Sequence, residues 1–259
     1  GFVEDVLRFL DNVLTSFIET APDEMARARY SAMRERSVGL GVMGFHAFLQ
    51  ARGIPFESAM AKAWNLAIFR RLRQEADRAS VFLAEERGPC PDAAEAGMQA
   101  RFSHKLAIAP TASISIICGG TSACIEPIPA NIYTHKTLSG AFPVRNPHLA
   151  RLLAERGLDR PEIWQSIVEH EGSVQHLDCL DDHEKAVFKT AFEIDQRWLV
   201  EHAADRTPYI CQSQSLNIFL PADVHKRDLH QIHMMAWKRG VKSLYYCRSL
   251  SIQRAETVA

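Results

Sequence analysis

The sequence predicts an α/β chain built on a parallel sheet or barrel, and three observations carry that prediction. Long segments with apolar residues every three or four positions alternate with short apolar runs, the pattern of strands joined by helices. One of those runs, Leu106-Ala-Ile-Ala109, is bounded by breakers and suits a strand covered on both faces. Finally, 259 residues that are 47% hydrophobic can bury one large core, so one domain, or a half-barrel with helical packing, is expected.

The elements follow in order. Val3, Val6, Leu7, Leu10, Val13, Leu14, Phe17 and Ile18 form one helical stripe. Pro22 and Asp23 interrupt it, and a short helix is expected over 24–34. A short strand over 38–42 precedes a helix over 45–51. The longest helix is expected over 57–86, stopped by Gly88 and Pro89. A strand is expected over 132–137, then helices over 147–155, 161–170 and 182–203. The last strands are expected over 214–219 and 241–246, separated by an amphipathic helix over 222–239. No internal repeat or low-complexity linker interrupts this order.

The segment from Leu106 to Pro127, LAIAPTASISIICGGTSACIEP, has the form of a loop delivered to the end of a buried strand. Pro110 ends the apolar run and is compatible with the first turn of a following helix. Backbone N–H groups at such a helix start, with hydroxyls from Thr111, Ser113 and Ser115, suit a phosphate. Ordinary N-capping by the same hydroxyls is the other reading. No lysine lies inside the loop, so it is not a Walker-type phosphate loop.

Composition excludes several classes. A net charge of −1 provides no basic field for nucleic acid. No run of about 18 apolar residues is present to span a membrane. Six cysteines are scattered without a C-x-x-C pair, as expected of reduced thiols in a cytoplasmic chain. Gly39-Leu-Gly41-Val-Met-Gly44 matches a dinucleotide fingerprint literally, but Arg34, Glu35 and Arg36 precede it and no acidic residue follows at the needed distance. Close strand–helix packing is the expected role. His225, Asp228, His230 and His233 read as a solvated helix face in preference to a metal site. Glu126 and Asn217 read as satisfied buried hydrogen-bonding residues that hold loops. Gln212, Ser213, Gln214 and Ser215 alternate around one turn, with their role open.

Four motifs in order carry a resemblance: Arg36-Ser-Val-Gly-Leu-Gly-Val-Met-Gly44, the segment Pro110–Pro127, Arg206-Thr-Pro-Tyr-Ile-Cys-Gln-Ser-Gln-Ser-Leu-Asn217, and Lys242-Ser-Leu-Tyr-Tyr246. From about Val3 to Ala255 the chain resembles the C-terminal part of the catalytic large subunit of class I, aerobic ribonucleotide reductases. The resemblance implies that residues 1–259 are the C-terminal portion of a ten-stranded α/β barrel with surrounding helices, lacking the N-terminal regulatory domain. It implies reduction of ribonucleoside diphosphates to deoxyribonucleoside diphosphates by radical chemistry. By the same resemblance Pro110, Thr111, Ala112, Ser113, Ile114 and Ser115 hold the substrate diphosphate. Tyr246 and Tyr245 are the outer and inner members of a radical relay. Successive residues on a regular strand point to opposite faces, so a stacked relay requires a bend or strand end at Tyr245.

The resemblance further implies that this chain binds no cofactor or metal of its own. The family's metal-radical cofactor sits in a small subunit, and ATP and deoxynucleotide effectors bind mostly outside this piece. Implied partners are the small subunit, a second large subunit, and thioredoxin or glutaredoxin as reductant. The family's Asn-x-Cys-x-Glu finger loop and its reducing cysteine pair have no counterpart here. Ser122-Ala-Cys124-Ile-Glu126 imitates the finger loop but sits in the wrong element and lacks the asparagine. The chain, starting at Gly1, is therefore expected to be an excised, truncated or split piece, inactive by itself. A noncatalytic module that binds partner subunits is the alternative.

Overall fold

The computed structural model describes residues 1–137 and 140–249; the last part of the resembling span, 250–255, lies outside them. In chain order the helices are α1 (Phe2–Thr20), α2 (Ala26–Glu35), α3 (Phe45–Ala51), α4 (Ala59–Arg87), α5 (Pro91–Glu95), α6 (Ile114–Ile117), α7 (Pro147–Glu155), α8 (Pro161–Glu169), α9 (Asp182–Val187), α10 (Gln196–Arg206) and α11 (Lys226–Lys238). The strands are β1 (Ile132–Thr137), β2 (Gly140–Arg145), β3 (Ile218–Leu220) and β4 (Cys247–Ser249). The chain divides into two compact units, one of Gly1–Val42, Trp64–Ala109 and Ala204–Gln214, the other of Met43–Ala63, Pro110–Ala203 and Ser215 onward.

In the first unit three extended segments run parallel. Leu40 bridges Leu106, and Ile108 bridges Gln214. The ladder includes Leu40 N to the Lys105 carbonyl at 2.9 Å, Ala107 N to Leu40 at 3.1 Å, Gln212 N to Leu106 at 3.1 Å and Ile108 N to Ser213 at 3.1 Å. Gly41 lies so close that a Cβ there would stand 2.3 Å from the Ala107 carbonyl oxygen. The glycine is therefore required for close backbone approach between two extended segments, a strand–strand contact where strand–helix packing was expected. Within α1, Leu7 and Asp11 are buried while Phe2, Phe9 and Val13 are exposed.

Asp11 is completely buried. Arg36 donates to it through Nε at 2.9 Å, Arg101 through Nε at 3.0 Å and Arg87 from its guanidinium at 2.8 Å. Arg36 reaches it from the left-handed residue that ends α2. Burial alone would raise the Asp11 pKa, but the hydrogen bonds from Arg101, Arg87 and Arg36 outweigh it and hold the carboxyl below its usual range.

In the second unit, β3 and β4 pair in parallel, Ile218 opposite Cys247 and Leu220 opposite Ser249. Ile218 and Leu220 pack with Val200, Ile232 and Ala236. A second cluster, centred on Leu149, Leu153, Trp164, Ile167 and Phe188, unites the helical layer. Asn146 caps α7 by accepting from His148 N, with Pro147 in the first turn.

Several elements depart from expectation. The helix expected over 182–203 is two helices. Asp181 and Glu184 form a capping box at the start of α9, and Asp195 accepts from Arg197 N at the start of α10. Between them, Glu193 accepts from Thr190 N at 2.7 Å, stabilising a turn where helix was expected. The strand expected over 241–246 begins only at Cys247, that over 38–42 shrinks to one isolated bridge at Leu40, and that over 106–109 to two, at Leu106 and Ile108. Strand β1 forms as expected but pairs antiparallel with β2, which the sequence reading omitted. Two strands joined by so short a connection can pair only as a hairpin, not as parallel neighbours.

Candidate functional site

A cavity of about 760 Å³ lies within the second unit. Its wall is formed in part by Ser115, Gly120, Glu126, Arg145, Phe192 and Arg248. Two guanidinium groups, one buried carboxylate and a glycine-containing turn give it the mixed polarity of a site for an anionic organic ligand.

The 110–115 segment contributes Ala112 and Ser115 to this wall, whereas Pro110, Thr111, Ser113 and Ile114 are not lining residues. Thr111 adopts left-handed geometry, φ +50°, and its Oγ1 accepts from Cys124 N at 2.7 Å. Ser115 is buried and donates to the Ala112 carbonyl at 3.2 Å. Ser113 is exposed at the N-cap of α6, where its side chain caps nothing. Two of the three hydroxyls thus shape the loop, and the third faces outward. Cys124 is buried, and its Sγ donates to the Ser215 carbonyl at 3.2 Å, tying this loop to the segment that precedes Asn217.

Tyr245 and Tyr246 lie in irregular chain just before β4. Freed from strand alternation, their rings stand side by side, with centroids 4.1 Å apart and planes inclined at 52°. The expected departure from strand geometry at Tyr245 is present. Interaction with the adjacent Tyr246 phenol, by hydrogen bonding first and charge second, raises the Tyr245 pKa. Both side chains are about half exposed. The Arg248 guanidinium lies 5.7 Å from the centre of the Tyr246 ring.

Beneath the pair lies a polar network. Glu126 Oε1 accepts from Asn217 N at 2.8 Å, and its Oε2 accepts from Asn217 Nδ2 at 3.0 Å. Asn217 Oδ1 in turn accepts from Tyr246 N at 3.0 Å. Burial pushes the Glu126 carboxyl up, and the Asn217 donors and the Arg248 charge offset only part of that. The expectation of satisfied buried hydrogen bonds holds for both residues, but their bonding to each other and onward to Tyr246 was not visible in the sequence. Arg145, His148 and Arg248 were also missed. No spacing signal marks them, since Arg145 and Arg248 lie on separate strands.

Among the described residues no three His, Cys, Asp or Glu side chains converge as a metal-ligand set. His225 instead caps α11 by accepting from Arg227 N, and His233 Nδ1 bonds to the Leu229 carbonyl. Among those residues, too, no helix is long and apolar enough to cross a membrane.

Comparison with known proteins identifies the family of the chain. A family model for the ribonucleotide reductase barrel domain matches residues 2–100 and 92–247. The chain is 49% identical over 262 residues to the ribonucleoside-diphosphate reductase large subunit of Invertebrate iridescent virus 6, covering 100% of this chain and 27% of that protein. It is 46% identical to the protein of the same name from Invertebrate iridescent virus 3, covering 99% of this chain and 41% of the other. The solved structure of the Actinobacillus ureae class Id ribonucleotide reductase alpha subunit superposes with a TM-score of 0.89 at 40% identity, covering 98% of this chain and 47% of that one. The chain thus spans between about a quarter and a half of the length of these relatives. The chain is part of an α/β barrel and belongs to the ribonucleotide reductase large-subunit barrel family.

Proposed function

We propose that this chain is the C-terminal portion of the barrel of a cytoplasmic ribonucleoside-diphosphate reductase large subunit, contributing substrate binding and radical transfer to the reduction of ribonucleoside diphosphates. The observation that carries the reading is the pair of phenol rings at Tyr245 and Tyr246, side by side with centroids 4.1 Å apart. Tyr246 would give up one electron to an oxidant supplied by a partner small subunit and release its phenolic proton to solvent. The Tyr246 radical then regains an electron and a proton from the adjacent Tyr245 phenol, leaving the radical on Tyr245. From there the oxidising equivalent passes to a cysteine supplied by the rest of the subunit.

The metal-radical centre that would supply the oxidant is assigned to the small subunit. The 110–115 loop and the adjoining cavity take the substrate diphosphate. Ala112 and Ser115 stand on the cavity wall, and Ser113 supplies an outward hydroxyl. A second large subunit, ATP and deoxynucleotide effectors, and thioredoxin or glutaredoxin complete the proposed set of partners.

The test is Tyr245→Phe in the full-length subunit assayed with its small subunit. Losing only the oxidisable hydroxyl is expected to lower turnover at least about 1,000-fold, roughly 4 kcal/mol in barrier, while nucleotide binding stays intact. Turnover near the parent level would overturn the relay.

A further inference from the structure

We infer that Glu126 is a positioning residue for the tyrosine pair: acting through the Asn217 side-chain amide, it fixes the backbone of Tyr246 and with it the spacing of the two phenols. The inference rests on the relay reading proposed above and adds to it the element that holds the relay in place.

The argument is one of donors and acceptors. An ionised carboxylate only accepts, and an amide side chain has one accepting and one donating end. Both Glu126 oxygens accept from Asn217, one from its backbone N–H and one from its Nδ2. The carboxylate therefore forces the amide to turn its nitrogen inward, which leaves Oδ1 facing Tyr246 N. Reversing the amide would place two oxygens together at Glu126 and two N–H donors together at Tyr246, inside a site where Glu126 and Asn217 are 9% and 5% exposed. Unpaired groups there are costly.

The bonds on either side extend the grip. Tyr245 N donates to the Leu216 carbonyl at 2.8 Å, and Ile218 N donates to the Tyr246 carbonyl at 2.9 Å. Residues 216–218 thus hold both tyrosines by main-chain bonds, and the one bond in this set made by a side chain is the one whose orientation Glu126 selects. The phenols themselves are half exposed, so burial does not fix them. Their separation therefore depends on the backbone beneath them.

The logic predicts a charge-swap rescue. Glu126→Gln alone presents the wrong end of one amide to the other, and Asn217→Asp alone sets two carboxylates against each other. In the double variant the amide oxygen at position 126 accepts from the backbone N–H of residue 217. The amide NH2 at position 126 donates to the new carboxylate at position 217, whose other oxygen accepts from Tyr246 N. All three bonds return, with the charge moved from one partner to the other.

The experiment uses the full-length subunit with its small subunit, in parental form and with 3-aminotyrosine at position 245, the latter being a more easily oxidised probe read by electron paramagnetic resonance. Each single variant is expected to lose at least about tenfold in kcat and in radical yield at position 245, with nucleotide KM changed less than about threefold. The double variant is expected to recover both to within about threefold of the parent. A double variant no better than the singles overturns the inference, including where the singles fold poorly, because the double is compared with the parent directly. Single variants with parental kcat and radical yield overturn it as well. A raised KM at unchanged kcat would make Glu126 a substrate contact and not a positioning residue. Tyr245→Phe is run alongside. If it turns over, the relay fails and the inference with it; if it is dead while Glu126→Gln is fully active, only the positioning role fails.

Discussion

Asp11 and Glu126 are both buried carboxylates in the same chain, yet their surroundings are opposite. Asp11 receives hydrogen bonds from three arginines, and its charge is held below the usual carboxylate range. Glu126 receives two bonds from one neutral asparagine, and burial pushes it upward. The first is a charge locked into a frame by permanently charged partners. The second stands on a cavity wall with partners that orient it without neutralising it, the arrangement expected of a group with work to do at a site. Burial alone does not distinguish structure from function; the charge of the partners does.

The contrast can be broken by mutation. Asp11→Ala leaves Arg36 and Arg101, both nearly buried, facing each other without their counterion, and is expected to destabilise the protein by about 3–5 kcal/mol in denaturant unfolding. A loss below about 1 kcal/mol would show the cluster to be solvated in practice. Glu126→Ala strands two neutral donors of Asn217 and is expected to cost less, about 1–3 kcal/mol. Its larger effect should fall on turnover. Were the two stabilities reversed in order, partner charge would not be the deciding quantity.

The smallest effect is the dependence on pH, and there the two groups should differ in sign. Asp11 has a folded pKa below its unfolded value of roughly 3.9. Its contribution is complete above about pH 4 and is lost as the pH falls through the folded value. Glu126 has a folded pKa above its unfolded value of roughly 4.3. Its contribution is complete below that value and is lost as the pH rises through the folded one. Urea midpoints measured from pH 3 to pH 7 should therefore show the gap between the parent and Asp11→Ala narrowing toward acid, and the gap between the parent and Glu126→Gln narrowing toward neutrality. Slopes of the same sign would remove the distinction.

Much of the architecture is legible one segment at a time. The helices over 45–51 and 147–155 take the bounds expected of them. The long helix ends next to Gly88, whose φ of +83° suits the left-handed exit. The tyrosine pair could be singled out as Tyr-Tyr, with a bend expected beside it. Misreadings occur where local apolar content outweighed local capping. Residues 182–203 keep enough apolar spacing to look like one helix, but Glu193 and Asp195 take backbone donors and divide it. Residues 241–246 are apolar and aromatic enough for a strand, yet Tyr245 and Tyr246 commit their backbone groups to Leu216, Asn217 and Ile218 before regular pairing begins.

Sequence alone determined what depends on neighbours within a few positions: helical stripes, caps, breakers, the glycines that permit close approach, and the ordered motifs that point to the family. Tertiary structure decided which buried polar groups meet. Arg101 finds Asp11 across 90 positions, and Asn217 finds Glu126 across 91. Periodicity and capping are set by the geometry of adjacent turns, so they can be read from spacing. The pairing of a distant donor with a distant acceptor is set by the packing that carries both out of water, and no spacing in the chain encodes it.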